Sequence, residues 1–448
     1  MVKNVVRNNG IQLLWQHAKV DVYLLNIFKH SGWLLSGNLL VTVIGLASQI
    51  VLTRSLGAQK YGILVLVITS ATTINMFLSS RTFEVGIKFI TKFKEENAEE
   101  KAAAVFKLCL LIDIATAVTA YLILVVSANH VAEMLIKDST MAGIIPLYGL
   151  ILLTQFPIGI SSAVLRIYNR FDWIAYHGVA VATLRLGGIF AVWHAGAGLK
   201  GVILVYVGAN FIEALSIFLL ARKTGDERLT KKWHRSSLGT LRGHLSEIGR
   251  FLISTNGRAL FKLFQRNADI LFIGYWLAPT AVSYFKVARV LADMILFPLN
   301  PLFTVSYPMF AQMIHKGKTD KLKELFKKLT LFGIAVGLIA ILLLSVAGGY
   351  LIQWFFGESF MPSLPALRLL SVGVGIAGIS MFMDPFLLAA GRADILFSAS
   401  GLGVLMQIGF LLLLVPVWGI SGAGVAYVVF YMVWALTAYY GCRTIWRF

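Results

Sequence analysis

Charged residues are scarce in this sequence of 448 residues. Only 14% of the residues are charged and 58% are hydrophobic, whereas a soluble domain is about one quarter charged. The mean hydropathy is +0.78. This composition excludes an ordinary soluble domain and indicates that most side chains face lipid or other apolar helices.

The residues that build metal, redox and nucleotide sites are also few. Cys109 and Cys442 are the two cysteines, they form no CxxC pair, and the eight histidines are scattered. This pattern excludes a disulfide framework and predicts neither a zinc site nor any other cofactor. The sequence has no Walker motif, so we expect no nucleotide hydrolysis and no enzymatic activity.

The first thirty residues lack the apolar core and the small-residue cleavage site of a secretory signal peptide. They carry Lys3, Arg7, Lys19 and Lys29 instead. We therefore expect segment 1–30 to be a basic cytoplasmic segment and the apolar segment that follows it to be a true span.

Long apolar segments fill the rest of the chain, and each has about the 20 residues that a bilayer span needs. Helices satisfy their own backbone in lipid, and these segments are too long for barrel strands. The fold class predicted is all-α, a polytopic membrane protein with about 12 transmembrane helices. The predicted spans lie at 32–53, 62–84, 106–127, 142–165, 173–194, 200–221, 249–276, 281–310, 328–347, 364–388, 395–417 and 420–441.

The basic residues predict the orientation. The segments on one side of the membrane hold 29 Lys and Arg residues, and those on the other side hold four, namely Arg54, Lys60, Lys137 and Lys200. The basic side faces the cytoplasm, so both termini should be cytoplasmic. The orientation of the chain in the membrane and its attraction to anionic lipid then explain most of the net charge of +19. We therefore expect no nucleic-acid partner.

An internal repeat divides the chain. Arg170 and Asp172 correspond to Arg392 and Asp394 at an offset of 222. Similar matches recur along the chain, as between Gly201 and Gly422 at an offset of 221, which indicates a duplication.

The repeat predicts an N-lobe at 31–225 with spans 1–6, a basic cytoplasmic linker at 226–248 and a C-lobe at 249–448 with spans 7–12. Each lobe has an even number of spans, so the two lobes share one orientation in the membrane. They form a parallel repeat, and substrate should bind between them near mid-depth.

Charged residues inside spans are costly and therefore mark candidate sites. In span seven Arg258, Lys262, Arg266 and Asp269 follow at i, i+4, i+8 and i+11, which places them along one stripe of the helix. Span eight adds a second stripe. If both stripes face one cavity, they form a ladder of cations that can hold a multivalent anion. The candidate substrate-binding residues are Arg258, Lys262, Arg266, Lys286 and Arg289.

A purely structural role is the alternative. Arg266 with Asp269 and Arg289 with Asp293 have the spacing of salt bridges that would lock the lobe. Arg258 could extend its side chain to the cytoplasmic interface.

Acidic residues inside spans are candidates for binding a coupling ion, H+ or Na+, or for forming salt bridges. For Glu213 the alternative partner is Arg185 on the neighbouring span. The acids in question are Asp269, Asp293, Asp113, Glu213 and Asp384. Pro298, Pro301 and Pro308 in span eight predict a kinked helix, which is either a mobile gate or a static bend.

Several motifs give a family resemblance. The stretch TRSLGAQKYG at 53–62, the turns NRFD and GRAD, and the turns GLKG and GISG resemble the polysaccharide-export branch of the MOP superfamily. That branch includes Wzx-type O-antigen flippases, and lipid II flippases and MATE drug exporters are more distant relatives. The resemblance covers roughly residues 30–445.

The resemblance implies two six-helix lobes and alternating access in a bacterial inner membrane. It implies as substrate an undecaprenyl-pyrophosphate-linked oligosaccharide that moves from the inner to the outer leaflet. The product would be O-antigen, capsule or exopolysaccharide, with polymerase and export machinery as candidate partners.

Two other functions stay open from the sequence. A cation-coupled multidrug exporter of the MATE type should prefer an acidic cavity, which the cationic stripes disfavour. A membrane-embedded polymerase or glycosyltransferase subunit would carry a large outer loop, whereas the outer loops here are short.

Overall fold

The computed structural model describes the backbone of residues 2–79, 81–225, 229, 232–296, 300–317 and 319–446. Within these ranges the side chains of 2–35, 253–263, 300–301, 303–305 and 446 lie outside the description. The described residues contain helices and turns and no strand, in agreement with the all-α fold class predicted.

The helices follow the apolar segments of the sequence. The first half contains α1 (Val2–Leu78), α2 (Thr82–Val85), a π-helical turn (Gly86–Ile90), α3 (Thr91–Glu95), α4 (Glu99–Val131), a second π-helical turn (Ala132–Ile136), α5 (Ile144–Thr154), α6 (Ile158–Ile167), α7 (Phe171–His194) and α8 (Gly198–Thr224). The second half contains α9 (Leu245–Trp276), α10 (Pro279–Leu296), α11 (Asn300–His315), α12 (Thr319–Phe355), α13 (Leu364–Ser380), α14 (Met383–Ala389), α15 (Ala393–Trp418) and α16 (Ile420–Trp446).

Helix α1 is two helices joined by a tight turn. Gly57 has φ +68° and ψ 175°, a conformation that glycine adopts without strain. The hydroxyl of Tyr61 donates a hydrogen bond to Oε1 of Gln49. In a straight helix twelve residues would rise by about 18 Å, so this bond requires the chain to fold back at Gly57. Residues 36–56 and 58–78 therefore form a pair of neighbouring antiparallel segments.

Nine helical runs among the described residues are long and apolar enough to cross a membrane. One of them is Ser36–Leu78, which contains the Gly57 turn. The runs at α9 and at α10–α11, which also cover predicted spans, do not count among the nine. The chain is a multi-pass membrane protein, and the number twelve stays a prediction.

Helix packing recurs between the two halves. In the first half α1 packs against α7, α7 against α8, and α5 against α8. In the second half α9 packs against α15, α15 against α16, and α13 against α16. These equivalent neighbours give two lobes with the same internal arrangement, as the repeat in the sequence predicts.

The lobes meet where residues 58–78 of α1 run along α9. Leu66 packs beside Gly274, the hydroxyl of Thr73 accepts a hydrogen bond from Nδ2 of Asn267 at 3.0 Å, and the rings of Phe77 and Phe264 meet edge to face at 5.8 Å. The contact extends over about 16 Å at 1.5 Å of rise per residue. The seam between the lobes is therefore packed through much of its depth.

Two basic side chains connect the lobes at the end of the seam near Gly57. Arg54 donates to the main-chain carbonyls of Phe355 and Trp354, at 3.0 and 2.5 Å, and Lys137 donates to that of Trp276 at 3.3 Å. The acceptors are carbonyls at the C-terminal ends of α12 and α9, where helices favour cations. We call this the outer end, following the orientation that the basic residues predict.

Several predicted spans are interrupted. Span four breaks at Gln155–Pro157 between α5 and α6, and span ten breaks at Met381–Phe382 between α13 and α14. Span eight consists of α10 and α11, and residues 297–299 between them, with Pro298, lie outside the described residues. Pro308 lies inside α11.

The stretch 92–107 is divided between two helices. Asn97 has φ +55° and follows α3, and α4 begins at Glu99 and continues through the next predicted span. In the second half, residues 319–328 are the first residues of α12.

Close backbone packing of α12 on α13 generates a stability prediction. A Cβ on Gly337 would lie 2.5 Å from the Gly375 carbonyl oxygen, whereas a Cβ on Gly187 in α7 would meet open space. We expect Gly337→Ala to destabilise the protein by about 1–3 kcal/mol through overpacking. Gly187→Ala should be neutral or stabilising, because alanine favours helix by up to about 1 kcal/mol. Thermal unfolding of the purified protein in detergent measures both, and equal behaviour of the two variants would contradict the packing.

Candidate substrate site

The two charged stripes meet in the structure. Asp269 of α9 forms an ion pair with Arg289 of α10, and its Oδ1 also accepts a hydrogen bond from the Ile270 amide at 2.8 Å. The side chain of Asp269 is fully buried and that of Arg289 is 11% exposed. The charged stripes of spans seven and eight are therefore in contact at this ion pair.

Arg289 makes two further contacts. Its Nε lies 3.7 Å from Oδ2 of Asp293, which is 58% exposed, and its guanidinium lies 4.9 Å from the centre of the Tyr427 ring. The second contact is a cation–π interaction. Arg289 is thus held between α9 and α16 by partners of the protein itself.

Asp269 pairs across helices and not with Arg266. The i, i+3 spacing allows a pair between Arg266 and Asp269, but Arg266 is exposed whereas Asp269 is fully buried beside Arg289. A buried carboxylate needs a partner that is buried with it. The Arg289–Asp293 contact, the other half of the structural alternative, is present.

Among the described side chains of the two stripes, Arg266 and Lys286 are the cations that form no ion pair with a described carboxylate. Lys286 is half-buried and lies within electrostatic range of Arg266, Arg289, Asp269 and Asp293. Among the described side chains the stripes hold three cations and two carboxylates, which gives one surplus positive charge.

The cytoplasmic part of the ladder lies outside the described side chains. Arg258 and Lys262 belong to the range 253–263, so their part in the site stays a prediction.

Two polar residues beside Arg266 connect α9 to both lobes. Gln265 donates to the Tyr431 hydroxyl at 3.4 Å, and Asn267 donates to Thr73 at 3.0 Å. Arg266 stands between these two residues in the sequence, and its own side chain is exposed.

Sequence reasoning did not identify Tyr427 and Tyr431. They are spaced i, i+4, and their rings meet edge to face with ring centres 4.9 Å apart. That spacing places both on one face of α16. The i, i+4 spacing of the two tyrosines is visible in the sequence. It did not identify them, because aromatic pairs are common in spans and the spacing does not indicate that a charged residue lies beside them.

The acids of the N-lobe have separate partners. Asp113 accepts hydrogen bonds from the hydroxyl of Thr82 at 2.7 and 2.9 Å. Glu213 lies 3.3 Å from Arg185, the partner that the sequence offered as an alternative. Neither acid contacts a described side chain of the stripes of α9 and α10, so the candidate coupling acids lie at several sites.

Asp384, the remaining candidate acid, lies in the first turn of α14, directly after the break in span ten, and is half-buried. Among the described residues no group of three or more His, Cys, Asp or Glu could hold a metal ion.

A family model covers most of the chain. Residues 51–365 match the model of the family described as "Polysaccharide biosynthesis protein". The "Inner membrane protein YghQ" of Escherichia coli (strain K12) is 21% identical over 346 residues, which are 77% of this chain and 97% of that protein. The "Teichuronic acid biosynthesis protein TuaB" of Bacillus subtilis (strain 168) is 30% identical over 191 residues, 40% of this chain and 36% of that protein.

Solved structures share the fold. An inward-facing multidrug-resistance MATE transporter of the MOP superfamily superposes with a TM-score of 0.73 at 16% identity, covering 90% of this chain and 94% of that one. The lipid II flippase MurJ in an inward closed conformation gives 0.72 at 12% identity, covering 91% and 86%. A MOP-superfamily transporter from Pyrococcus furiosus, described as having a binding pocket of reverse polarity, gives 0.59 at 14% identity, covering 93% of each chain.

The fold therefore defines a class: the chain has the two-lobe helical fold of the MOP-superfamily transporters, as the resemblance in the sequence predicted. Within that class the chain belongs to the polysaccharide biosynthesis protein family, whose model matches more than two thirds of it.

The buried ion pair generates the next prediction. Asp269→Asn removes the charge that compensates Arg289, and we expect the protein to lose about 3–5 kcal/mol of stability. The double variant Asp269→Asn/Arg289→Gln should recover most of this loss, because no unpaired charge stays buried. Thermal unfolding in detergent measures both.

Asp293→Asn is the matched control, since Asp293 is largely exposed and should contribute less than about 1 kcal/mol. A double variant no more stable than Asp269→Asn would show that the pair is not the source of the loss.

Proposed function

We propose that this protein is a flippase that moves an undecaprenyl-pyrophosphate-linked oligosaccharide from the cytoplasmic to the outer leaflet of a bacterial inner membrane. The oligosaccharide serves the assembly of O-antigen, capsule or exopolysaccharide. The lobes alternate between access from the cytoplasm and access from outside.

The charge at the seam carries the proposal. Arg266 and Lys286 supply positive charge that no described carboxylate fully neutralises, and Arg266 stands in the sequence between residues bonded to the two lobes. A pyrophosphate carries several negative charges and needs cations wherever it leaves water. One arginine guanidinium donates hydrogen bonds to two phosphate oxygens at once, and the lysine ammonium acts as a point charge.

The similar proteins support the same function. The family is named for polysaccharide biosynthesis, one relative is named as an inner membrane protein, and another is named for teichuronic acid biosynthesis. One protein of the same fold is a lipid II flippase. A flippase for a lipid-linked saccharide agrees both with the description of the family and with the fold.

The fold alone does not separate this function from multidrug export, since a MATE transporter superposes equally well. The sign of the charge separates them, because a cationic drug would be repelled by Arg266 and Lys286. The acids Asp113, Glu213 and Asp384 remain our candidates for a coupling H+ or Na+, and polymerase and export proteins remain candidate partners.

Complementation tests the proposal. In a strain that lacks its own O-antigen flippase, we expect the wild-type chain to restore surface polysaccharide. Arg266→Gln and Lys286→Gln should each lower the restored amount, and the double variant should lower it about tenfold or more, since a charge-assisted hydrogen bond contributes about 1.5–3 kcal/mol. Arg258→Gln and Lys262→Gln extend the test to the cytoplasmic part of the ladder.

Arg392→Gln is the control, because Arg392 pairs with Asp394 at the exposed turn before α15. If every variant of the charged stripes restores surface polysaccharide fully, these residues do not bind the substrate and the site assignment is wrong. Failure of the wild-type chain with two different polymers, together with resistance to cationic dyes in an efflux-deficient strain, would favour the drug exporter.

Alternating access generates a separate prediction. Leu66 and Gly274 face each other near the outer end of the seam, so the double variant Leu66→Cys/Gly274→Cys should form a disulfide. Under oxidising conditions we expect complementation to fail, and a reductant should restore it, because the outer end must open in each cycle. The single cysteine variants control for the substitutions, and Cys109 and Cys442 are buried. An oxidised, fully cross-linked protein that still transports would contradict opening at this seam.

A further inference from the structure

A polar cavity of about 380 Å³ lies inside the N-lobe, away from the ion pair of α9 and α10. The end of α1, the segment after it, α4, and the α5–α6 junction surround it. Its volume is within the range of small-molecule sites. Carboxylate, amide, hydroxyl and guanidinium groups line it together with two aromatic rings, those of Phe83 and Phe156.

Two interruptions of helix meet at this cavity. Ser79 and Arg81 follow the end of α1, and Gln155 follows the end of α5, and all three residues line the cavity. Gln155 lies about 17 Å along the helix from Ile144, well inside the predicted span. Backbone outside a helix is tolerated at this depth only where it is buried in protein or lines a water-filled cavity. In transporters such breaks mark binding sites.

The chemistry of the lining differs from that of the charged stripes. Asp113 is held by the Thr82 hydroxyl, and Arg81 forms an ion pair with Glu84 at 2.8 Å. The cavity therefore has no surplus positive charge, and an ionised Asp113 gives it one surplus negative charge, which disfavours a phosphate. Its carboxylates, its amides Asn75 and Gln155 and its hydroxyls offer many donors and acceptors to a neutral polyhydroxyl molecule.

The described helices of the C-lobe are closely packed at the place equivalent to this cavity. The offset of 221–222 relates Asp113 to Ile334 or Ala335, and Gln155 to Ile376 or Ala377. At that place in the C-lobe α12 and α13 pack without a gap, since a Cβ on Gly333 would lie 2.5 Å from the Gly378 carbonyl oxygen. The same pair of helices is thus closed in one lobe and separated by a polar cavity in the other.

The cavity and helix α9 are connected through α1. Thr73 bonds to Asn267, the neighbour of Arg266 in sequence, and Asn75 and Met76 of the same helix line the cavity. Two to three residues of α1 separate Thr73 from these lining residues, which is about 3–5 Å of axial rise. The near edge of the cavity therefore lies at about the depth of Asn267, on the N-lobe side of the seam.

We propose that this N-lobe cavity binds the sugar portion of the substrate, next to the carrier's pyrophosphate at Arg266 and Lys286. The inference rests on the proposed function and adds a division of labour between the lobes: cations of the C-lobe hold the anion, and neutral and acidic groups of the N-lobe hold the sugar. A metal ion alone would not fill the cavity, because the volume far exceeds that of an ion, and no group of three His, Cys, Asp or Glu side chains that could hold a metal occurs among the described residues.

Binding of two probes tests the proposal on the purified full-length protein. The probes are undecaprenyl pyrophosphate and undecaprenyl pyrophosphate that carries one N-acetylhexosamine. We expect the wild-type chain to bind the glycosylated probe about tenfold more tightly, as a few added hydrogen bonds provide. Asp113→Asn and Gln155→Ala should each reduce this ratio towards one and leave the affinity for the bare carrier unchanged.

Asn210→Ala is the matched control. Asn210 bonds to Thr154, one residue from Gln155, but does not line the cavity, so this variant should keep the tenfold preference. If Asp113→Asn does not fold, Gln155→Ala decides alone.

The two hypotheses fail in different ways. Equal affinity of the wild-type chain for both probes, or a preference that survives in the cavity variants, overturns the sugar site. Bare-carrier binding that is absent, or unaffected by Arg266→Gln/Lys286→Gln, counts against the headgroup site of the proposed function instead.

Discussion

The hydrocarbon of the bilayer offers no water to a polar group, and the rest of the structure follows from this constraint. Backbone groups must bond within helices, and where a helix breaks, as at Gln155–Pro157, the freed groups lie at a polar cavity. Charges obey the same rule. Asp269 and Arg289 are buried together, each compensating the other, and Arg289 also rests on the Tyr427 ring. Cations that the protein does not neutralise completely are therefore available to an anionic ligand.

The two lobes repeat one arrangement of helices but differ in what their interiors contain. Where α12 and α13 approach until backbones touch at Gly333 and Gly337, the equivalent helices of the N-lobe separate around Asp113 and Gln155. The C-lobe instead carries the charged stripes at its first two helices. We propose that this duplicated fold thus holds two chemically distinct sites, one in each lobe, and that the substrate passes along the seam between them.

Much of this was accessible before the structure. The all-α class, the repeat and the family came from apolar runs, from a constant offset and from short turn motifs, all of which are local in sequence. The spacing of Arg266, Asp269 and Arg289 predicted two stripes, but not that Asp269 bonds across to Arg289. Ion pairs at i, i+3 and between helices are equally compatible with the spacing, and only burial decides between them.

The sequence by itself determined the class of protein, the membrane environment and the residue types available at each span, because hydropathy and charge act residue by residue. The tertiary structure decided which charges compensate each other, that Gly57 folds α1 back on itself, and that Thr82, Asp113 and Gln155 surround one cavity. These residues lie far apart along the chain. Their proximity depends on how closely helices pack, which small differences in side-chain volume control and which no periodicity in the sequence records.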